Sequence, residues 1–357
     1  MKKPPPYHLR LNKAVDRFIL IDILRCFGKE DLETYRYAGL GGPFLEDFKL
    51  LDSFFPTLRK VSFELDEQTF LRQKFNRPSR LIGLEYGNMI EELSKQVKDD
   101  EPLIVWYDST QTSGEIFEGF ISLLDMVPSR SIIRVTMRLA RREVVPNRKL
   151  ITALTDTLTA RISALKCAIR DKNALLQDVA KIVKEQVEEH TAQQGELSFI
   201  SRHLPADYRV RLNEKNGLLH VLFSAIHNAA VTTLSPGSGR TFRLLNASCY
   251  SDNTKMLSVT GAVVSDADKD SFMKRFKGTE FASAKWSDSP IEIDLPILTP
   301  KERLHLNAIM PVCRDPGKRL CKRLGFCIDE KPEKAESEMA MYNRYHRYYP
   351  MFAKVAL

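Results

Sequence analysis

The sequence predicts an α/β protein with a doubly wound, mainly parallel sheet, a C-terminal antiparallel strand pair and a helical insertion. Strand and helix patterns alternate regularly over the first 138 residues, which is typical of a parallel sheet covered by helices. The segment Leu103–Tyr107, LIVWY, is a continuous apolar strand, as a sheet buried on both faces requires. Two later apolar strands flank the turn residues Ser251-Asp252-Asn253-Thr254, which indicates antiparallel pairing.

The first half of the chain supplies five strands and the helices between them. A first helix is predicted over Lys13–Phe27, with apolar residues at helical spacing and Gly28 as its stop. The predicted strands are Tyr35–Ala38, Lys60–Glu64, Leu81–Leu84, Leu103–Tyr107 and Ser131–Met137. The helices that connect them are predicted over Phe44–Phe55, Gln68–Phe75, Asn88–Gln96 and Glu115–Met126.

The second half changes pattern. An amphipathic stripe from Ile151 to Val187 predicts a long helix or helix pair, and Gly217–Leu234 predicts a more apolar helix. The antiparallel strands are predicted over Phe242–Tyr250 and Met256–Val264. After Pro290 the chain reads as irregular, apart from a helix over Pro300–Ile309. We therefore expect a sheet domain over 13–140 and 240–300, a helical insertion or cap over 150–235, and a C-terminal extension over 301–357.

The composition and net charge of the chain indicate which kinds of partner it could bind. The chain has 357 residues, a formal net charge of +8 and an isoelectric point near 9.1. A basic balance is compatible with nucleic acid as a partner, and the C-terminal MYNRYHRYYPMF interleaves basic and tyrosine residues that could stack bases. A packed C-terminal helix with solvated arginines is the alternative for this tail. The helical insertion could also hold a protein partner or a second copy of the chain.

Cysteine spacing and hydropathy indicate the cellular compartment of the protein. The six cysteines form no C-x-x-C pair, so we expect free thiols in a reducing compartment and no bound metal. No apolar run approaches the length of a membrane span, and the basic start leads into no apolar signal core. These features predict a cytoplasmic protein without a membrane partner.

The segment Tyr37–Asp66 carries the clearest motif. It runs from a short strand through Gly39-Leu40-Gly41-Gly42 into a helix, and then into a second strand that ends in Glu64-Leu65-Asp66. Glycines allow a sharp turn and close approach of the backbone to a ligand. An acid at the end of the next strand can accept hydrogen bonds from ribose hydroxyls. The segment therefore predicts a nucleotide- or nucleoside-binding half-domain.

This order of elements resembles the class I S-adenosylmethionine-dependent methyltransferases, in which a terminal strand pair completes a mostly parallel sheet. The resemblance covers residues from Lys13 to about Met137 and again Phe242–Val264. It implies S-adenosylmethionine as cofactor and a methyl acceptor that the sequence does not identify. In that family the glycine loop wraps the methionine part of the cofactor, and the matching residues are Gly39, Gly41 and Gly42.

The resemblance also assigns residues after the next three strands. Glu64 matches the acid that holds the ribose hydroxyls, with Asp66 as its alternative. Asn88 falls in the segment that meets the adenine. Asp108 ends the fourth strand, facing the methyl group and the acceptor, and could act as a general base with Ser109 and Thr110 beside it. A carboxylate that only caps the following loop is an equal alternative for Asp108.

The chain departs from the family pattern at two loop positions. Tyr37 stands where the family often has an acid, and Pro43 replaces a third loop glycine. The Asn/Asp-Pro-Pro-aromatic signature of amino-methylating nucleic-acid enzymes is absent at Asp108, which disfavours methylation of base nitrogens. Three possibilities remain open. The protein could methylate an oxygen, it could methylate another kind of acceptor, or it could bind the cofactor without transferring a methyl group.

Two other functions are compatible with the sequence. The segment from Asp108 to Gly114 also resembles the phosphoribosyl-pyrophosphate loop of type I phosphoribosyltransferases, although Ser109 replaces the second of their two acids. That interpretation leaves the glycine turn unexplained. The third alternative is a non-catalytic nucleoside- or nucleic-acid-binding module of a complex.

Overall fold

The structure is a computed structural model that describes residues 10–108, 113–139, 200–282 and 284–350, with three isolated helical positions at 156, 177 and 181. Its eight described strands form one sheet. They are β1 (Arg36–Gly39), β2 (Arg59–Glu64), β3 (Ile82–Tyr86), β4 (Leu103–Tyr107), β5 (Ser131–Arg138), β6 (Arg240–Ser251), β7 (Lys255–Ser265) and β8 (Ile291–Ile293). Their order across the sheet is β3-β2-β1-β4-β5-β7-β6-β8.

Strands β1 to β5 are parallel, and their order reverses at β1, which pairs with both β2 and β4. A crevice forms at such a reversal, at the carboxyl ends of the strands. Strand β7 is antiparallel to β5 and to β6, so β6 runs in the same direction as β1 to β5. The predicted fold class is confirmed, with only one of the two late strands opposed to the parallel set.

Helices cover both faces of the sheet. In chain order they are α1 (Leu11–Leu24), α2 (Lys29–Glu33), α3 (Glu46–Phe54), α4 (Glu67–Asn76), α5 (Met89–Ser94), α6 (Ser113–Met126), α7 (Tyr208–Arg211), α8 (Gly217–Thr233), α9 (Lys269–Lys274), α10 (Pro300–Asn307), α11 (Pro316–Leu324) and α12 (Pro332–Tyr345). One hydrophobic core lies between the sheet and α1, α3 and the C-terminal helices. The other lies between the sheet and α5, α6 and α8.

The helix predicted at Pro300 is present, but the prediction that the rest of the chain after Pro290 is irregular was wrong. Strand β8 extends the sheet through parallel pairing with β6, and α11 and α12 follow. The three residues of β8 are too few to show an alternating pattern in the sequence. The strand forms by pairing with the edge that β6 presents. The amphipathic stripe from Ile151 to Val187 lies almost entirely outside the described residues.

The tyrosine-rich tail is part of the core. Tyr342 and Tyr345 of α12 have no exposed surface, and Tyr349 is also buried. The exposed Arg344 donates to Glu280. These tyrosines are unavailable for stacking on bases, so for the described residues the packed-helix alternative is correct.

Candidate functional site

A cavity of about 290 Å³ opens at the carboxyl ends of the central parallel strands. Five of the residues predicted for the cofactor or for catalysis contribute to its walls. They are Gly41, Gly42, Glu64, Asn88 and Asp108. Strands β1, β2, β3 and β4 each end here because the parallel register aligns their carboxyl ends. Gly39 and Asp66 are not among the residues that line the cavity.

The glycine loop makes a tight passage between β1 and α3. The Gly41 amide donates a hydrogen bond to Ser62 Oγ at 3.1 Å. A Cβ at position 41 would lie 2.4 Å from Leu45 Cδ2 and 2.7 Å from Ser62 Oγ, so a side chain there would displace both. Gly42 has a φ of +53°, which favours glycine, and a Cβ added to it would meet no atom within 4 Å. The loop thus leaves open space on the cavity side of Gly42.

The two acids at the end of β2 have different environments. Glu64 is half-buried, and burial raises the pKa of its carboxyl above the ordinary value. Its Oε1 accepts from the Asp66 amide at 3.0 Å, and Gln73 Nε2 lies 3.5 Å from its Oε2. Asp66 instead caps α4, where its Oδ1 accepts from the Thr69 amide at 2.8 Å. That hydrogen bonding lowers the pKa of Asp66.

Asn88 positions the segment after β3. Its Oδ1 accepts from the Ile90 amide at 2.9 Å and caps α5. The preceding Gly87 donates from its amide to the Glu64 carbonyl oxygen at 3.0 Å, which ties the end of β3 to the end of β2. The side-chain oxygen of Asn88 is therefore used within the fold, while the residue still forms part of the cavity wall.

Asp108 forms an ion pair with Lys13 of α1 in the cavity. The Lys13 side chain is 5% exposed and that of Asp108 is 19% exposed. The Lys13 ammonium also lies 5.2 Å from the ring centroid of Trp106, within the range of a cation–π contact. Ser109 and Thr110, predicted beside Asp108, lie outside the described residues.

Two further ion pairs hold α1 in place, one with α3 and one with β5. Arg17 donates to Asp47 of α3, and both residues line the cavity. Asp16 accepts from Arg134 of β5, and both side chains are buried. These charges occupy one face of a helix at spacings of three and four residues, so each reaches a different element beneath it.

The turn between β6 and β7 fixes where α1 begins. Asp252 accepts from the Asn12 amide at 2.9 Å and from the Lys13 amide at 3.0 Å. An aspartate at this end of a helix satisfies amides that have no partner within the helix and favours the positive end of its dipole. The turn that the sequence predicted as a hairpin link therefore also places Lys13 at the cavity.

Two buried phenols complete this side of the wall. Burial raises the pKa of Tyr107 to about 12 and that of Tyr250 well above its ordinary value. Both phenols are therefore neutral at physiological pH and are weak proton acceptors. Asp108, which follows β4, is one of the carboxylates in the same cavity wall.

Lys13, Arg17 and Tyr250 also line the cavity but were not predicted from the sequence. The signal for the first two was present, because Lys13, Asp16 and Arg17 lie on one face of a helix that is mostly apolar. Charged residues on a buried helix face need partners, and that requirement could have indicated a site. Tyr250 gave no such signal, since a tyrosine at the end of an apolar strand is ordinary core composition.

The strand order and the position of the cavity define a class I S-adenosylmethionine-dependent methyltransferase. The chain belongs to the family described as "Putative O-methyltransferase", whose model matches residues 5–357. This membership confirms the class that the sequence resemblance implied, together with its cofactor, S-adenosylmethionine. A comparison with curated protein sequences finds no match.

Solved structures with similar folds are distant in sequence. The O-methyltransferase from Bacillus cereus in complex with SAH is 10% identical, with 72% of this chain and 84% of that chain covered and a TM-score of 0.37. A "putative sarcosine dimethylglycine methyltransferase" from Galdieria sulphuraria is also 10% identical, with 71% and 85% covered and a TM-score of 0.32. The family match and the strand order, rather than these likenesses, define the class.

A third structure matches over a shorter length. A "probable spermidine synthase" from Corynebacterium glutamicum ATCC 13032 is 13% identical, with 37% of this chain covered and a TM-score of 0.32. The chain spans 50% of the length of that protein.

Proposed function

We propose that the cavity at the end of the parallel strands binds S-adenosylmethionine and that the protein transfers its methyl group to a hydroxyl of an acceptor. One observation carries the proposal: Gly41, Gly42, Glu64 and Asp108 line a single cavity. The family description names O-methyl transfer, and the absence of the amino-methylating signature at Asp108 is consistent with an oxygen acceptor.

The residues of the cavity fit the cofactor. Gly42 leaves open space where a side chain would stand, so backbone can approach the methionine part closely. Glu64 presents carboxylate oxygens at the end of β2, where ribose hydroxyls can donate to them. Gly39 supports the loop from outside the cavity, since a Cβ there would lie 2.8 Å from the Tyr37 hydroxyl. Asp66 caps α4, and we assign the ribose role to Glu64 alone.

The cofactor supplies a methyl group on a positively charged sulfur. Asp108 would accept the hydroxyl proton of the acceptor, while the bound cofactor would supply the methyl group that the oxygen receives. Lys13 holds the Asp108 carboxylate in place and balances its charge. The proton ends on Asp108 and passes to solvent after the product leaves. Most of the rate enhancement comes from alignment, because methyl transfer needs the acceptor oxygen in line with the carbon–sulfur bond.

The test begins with cofactor binding. Isothermal titration calorimetry should show one site per chain for S-adenosylmethionine and for S-adenosylhomocysteine, and no heat for phosphoribosyl pyrophosphate. Labelled S-adenosylmethionine is then incubated with separated small-molecule, protein, RNA and DNA fractions of a lysate. Absence of cofactor binding would overturn the proposal, and cofactor binding without label in any fraction would point to a non-catalytic domain.

The other functions compatible with the sequence are not favoured. Family membership does not favour a phosphoribosyltransferase or a non-catalytic module. The glycine loop, which the phosphoribosyltransferase interpretation left unexplained, lines the same cavity as Asp108.

We also propose a cytoplasmic location. The five cysteines within the described part of the chain are free thiols, as a reducing compartment maintains. No helix among the described residues is long and apolar enough to span a membrane. Recovery of the native protein in the periplasmic or secreted fraction of its cells would contradict this location.

A further inference from the structure

The surface of α11 concentrates positive charge. Five cations lie within the ten residues 314–323, and Asp315 is the only acid in that segment. The cations are Arg314, Lys318, Arg319, Lys322 and Arg323, and all five are exposed. We call these five residues the α11 basic surface.

None of the five side chains has an ion pair or a hydrogen bond with another described residue, although the Arg323 carbonyl oxygen lies 3.0 Å from His305 Nε2. Other cations of the described chain, such as Lys334, Arg344 and Arg275, are paired with carboxylates, while the unpaired ones include Lys29, Lys215, Lys274 and Lys277. The α11 basic surface therefore presents its full charge to solvent.

The spacing of these cations works against the helix. Within α11, Lys318 and Lys322 are four residues apart, as are Arg319 and Arg323, and Arg314 lies just before the helix begins. Side chains four apart lie about 6 Å apart along a helix axis, and like charges at that spacing destabilise the helix. Only Lys322 and Arg323, in the last turn, gain from the helix dipole. Folding of this helix alone does not account for so many cations.

The opposite face of α11 is fixed in the fold. Leu320 is fully buried, and Gly317 lies so close to α12 that a Cβ would be 2.1 Å from the Glu336 carbonyl oxygen. The apolar face is therefore not free to insert into a lipid surface, which disfavours a membrane as the partner. The exposed part of the helix offers charge on a rigid support.

An exposed aromatic side chain follows the helix. Gly325, with a φ of +79°, ends α11, and the next residue, Phe326, is 52% exposed. Cations that neutralise phosphates beside an aromatic ring that stacks a base are the combination that single-stranded nucleic acids bind. An acidic protein would use the charge but would leave the ring without a specific partner.

We infer that the α11 basic surface and Phe326 form a binding site for single-stranded nucleic acid. This site differs from the tyrosine-rich tail considered in the sequence analysis, whose aromatic rings are buried. The inference does not depend on the proposed function, because it concerns a surface whose residues do not line the cavity.

Fluorescence anisotropy tests the inference with the full chain and a labelled RNA oligonucleotide of about 20 nucleotides, longer than the roughly 4–16 that one binding fold covers. The test variant carries Lys318→Gln, Arg319→Gln, Lys322→Gln and Arg323→Gln. The matched control removes four exposed, unpaired cations elsewhere, through Lys29→Gln, Lys215→Gln, Lys274→Gln and Lys277→Gln. Circular dichroism verifies that both variants are folded.

The test variant should lose roughly 100-fold in affinity, and its slope of log K against log salt should fall by about 3, since each lost contact to a single strand removes about 0.7. The control should keep the parent slope. Phe326→Ala should lower affinity at least about fivefold without changing the slope, because it removes stacking but no charge.

Three results would overturn the inference. The first is no RNA or DNA binding by the parent at about 50 mM salt. The second is an equal loss in the test and control variants, which would mean attraction by net charge only. The third is tighter binding of poly-glutamate or of anionic phosphatidylserine vesicles than of the oligonucleotide, which would assign the surface to an acidic protein or a membrane.

Discussion

Lys13 of α1 and Asp108 at the end of β4 form an ion pair that joins the N-terminal helix to the carboxyl edge of the sheet. The two residues are 95 positions apart in the chain. The pair sets the position of the only acid that the resemblance assigned to catalysis, and it makes α1 part of the site.

The Lys13–Asp108 pair should show strong energetic coupling. Lys13→Met leaves the Asp108 carboxylate poorly solvated and should lower the free energy of unfolding by about 3 kcal/mol. The double variant Lys13→Met/Asp108→Leu should recover most of that loss, because both charges are then absent. Urea denaturation of the four forms measures the coupling. Additive losses in the double variant would mean that the pair does not interact in solution.

Asp108→Asn should separate cofactor binding from catalysis. The amide oxygen of asparagine can still accept a hydrogen bond from Lys13, so the geometry is kept, but it cannot take a proton from an acceptor. Turnover should fall by roughly two to four orders of magnitude while the affinity for S-adenosylhomocysteine is unchanged. Labelled methyl transfer and calorimetry supply the two readouts. Equal turnover in parent and variant would remove Asp108 from the mechanism and leave it as a positioning residue for the loop.

Glu64 and Asp66 should respond differently to the same substitution. Glu64→Ala should weaken S-adenosylhomocysteine binding by about 1.5–3 kcal/mol, since it removes hydrogen bonds to a charged acceptor. Asp66→Ala should leave that affinity unchanged but lower the free energy of unfolding by about 1 kcal/mol, because it removes the cap of α4. If Asp66→Ala is the variant that loses affinity, the ribose acid is Asp66.

The raised pKa of Glu64 predicts a pH-dependent stability. Burial favours the protonated carboxyl in the folded state, so Glu64 contributes stability below its ordinary pKa and loses that contribution as pH rises through the raised pKa. Glu64→Gln should therefore raise the free energy of unfolding at neutral pH, and the gain should disappear below about pH 4, near the ordinary value. Denaturation curves across this range provide the measurement. A gain that is constant with pH would mean that Glu64 titrates normally.

Most of the fold could be predicted because its signals are local. Apolar strands, helical periodicity and turn residues each occupy short segments, and the predicted strand β4 agrees with the structure residue for residue. Strand β8 and several helices, among them α2, α9 and α11, were not predicted, because elements this short show little periodicity. Strand β8 has three residues and exists because β6 offers it an edge.

The sequence by itself determined the order of strands and helices, the glycine loop and the acid that ends β2, since all three lie within about 30 consecutive residues or follow a local period. The tertiary structure decided which charges meet. Lys13 reaches Asp108 from a helix whose first turn is held by Asp252, 239 positions further along the chain. It also decided that Asp66 caps a helix while Glu64 lines the cavity, although the two acids are neighbours in sequence. A buried charge requires a partner, but only the packed sheet selects which partner lies within reach.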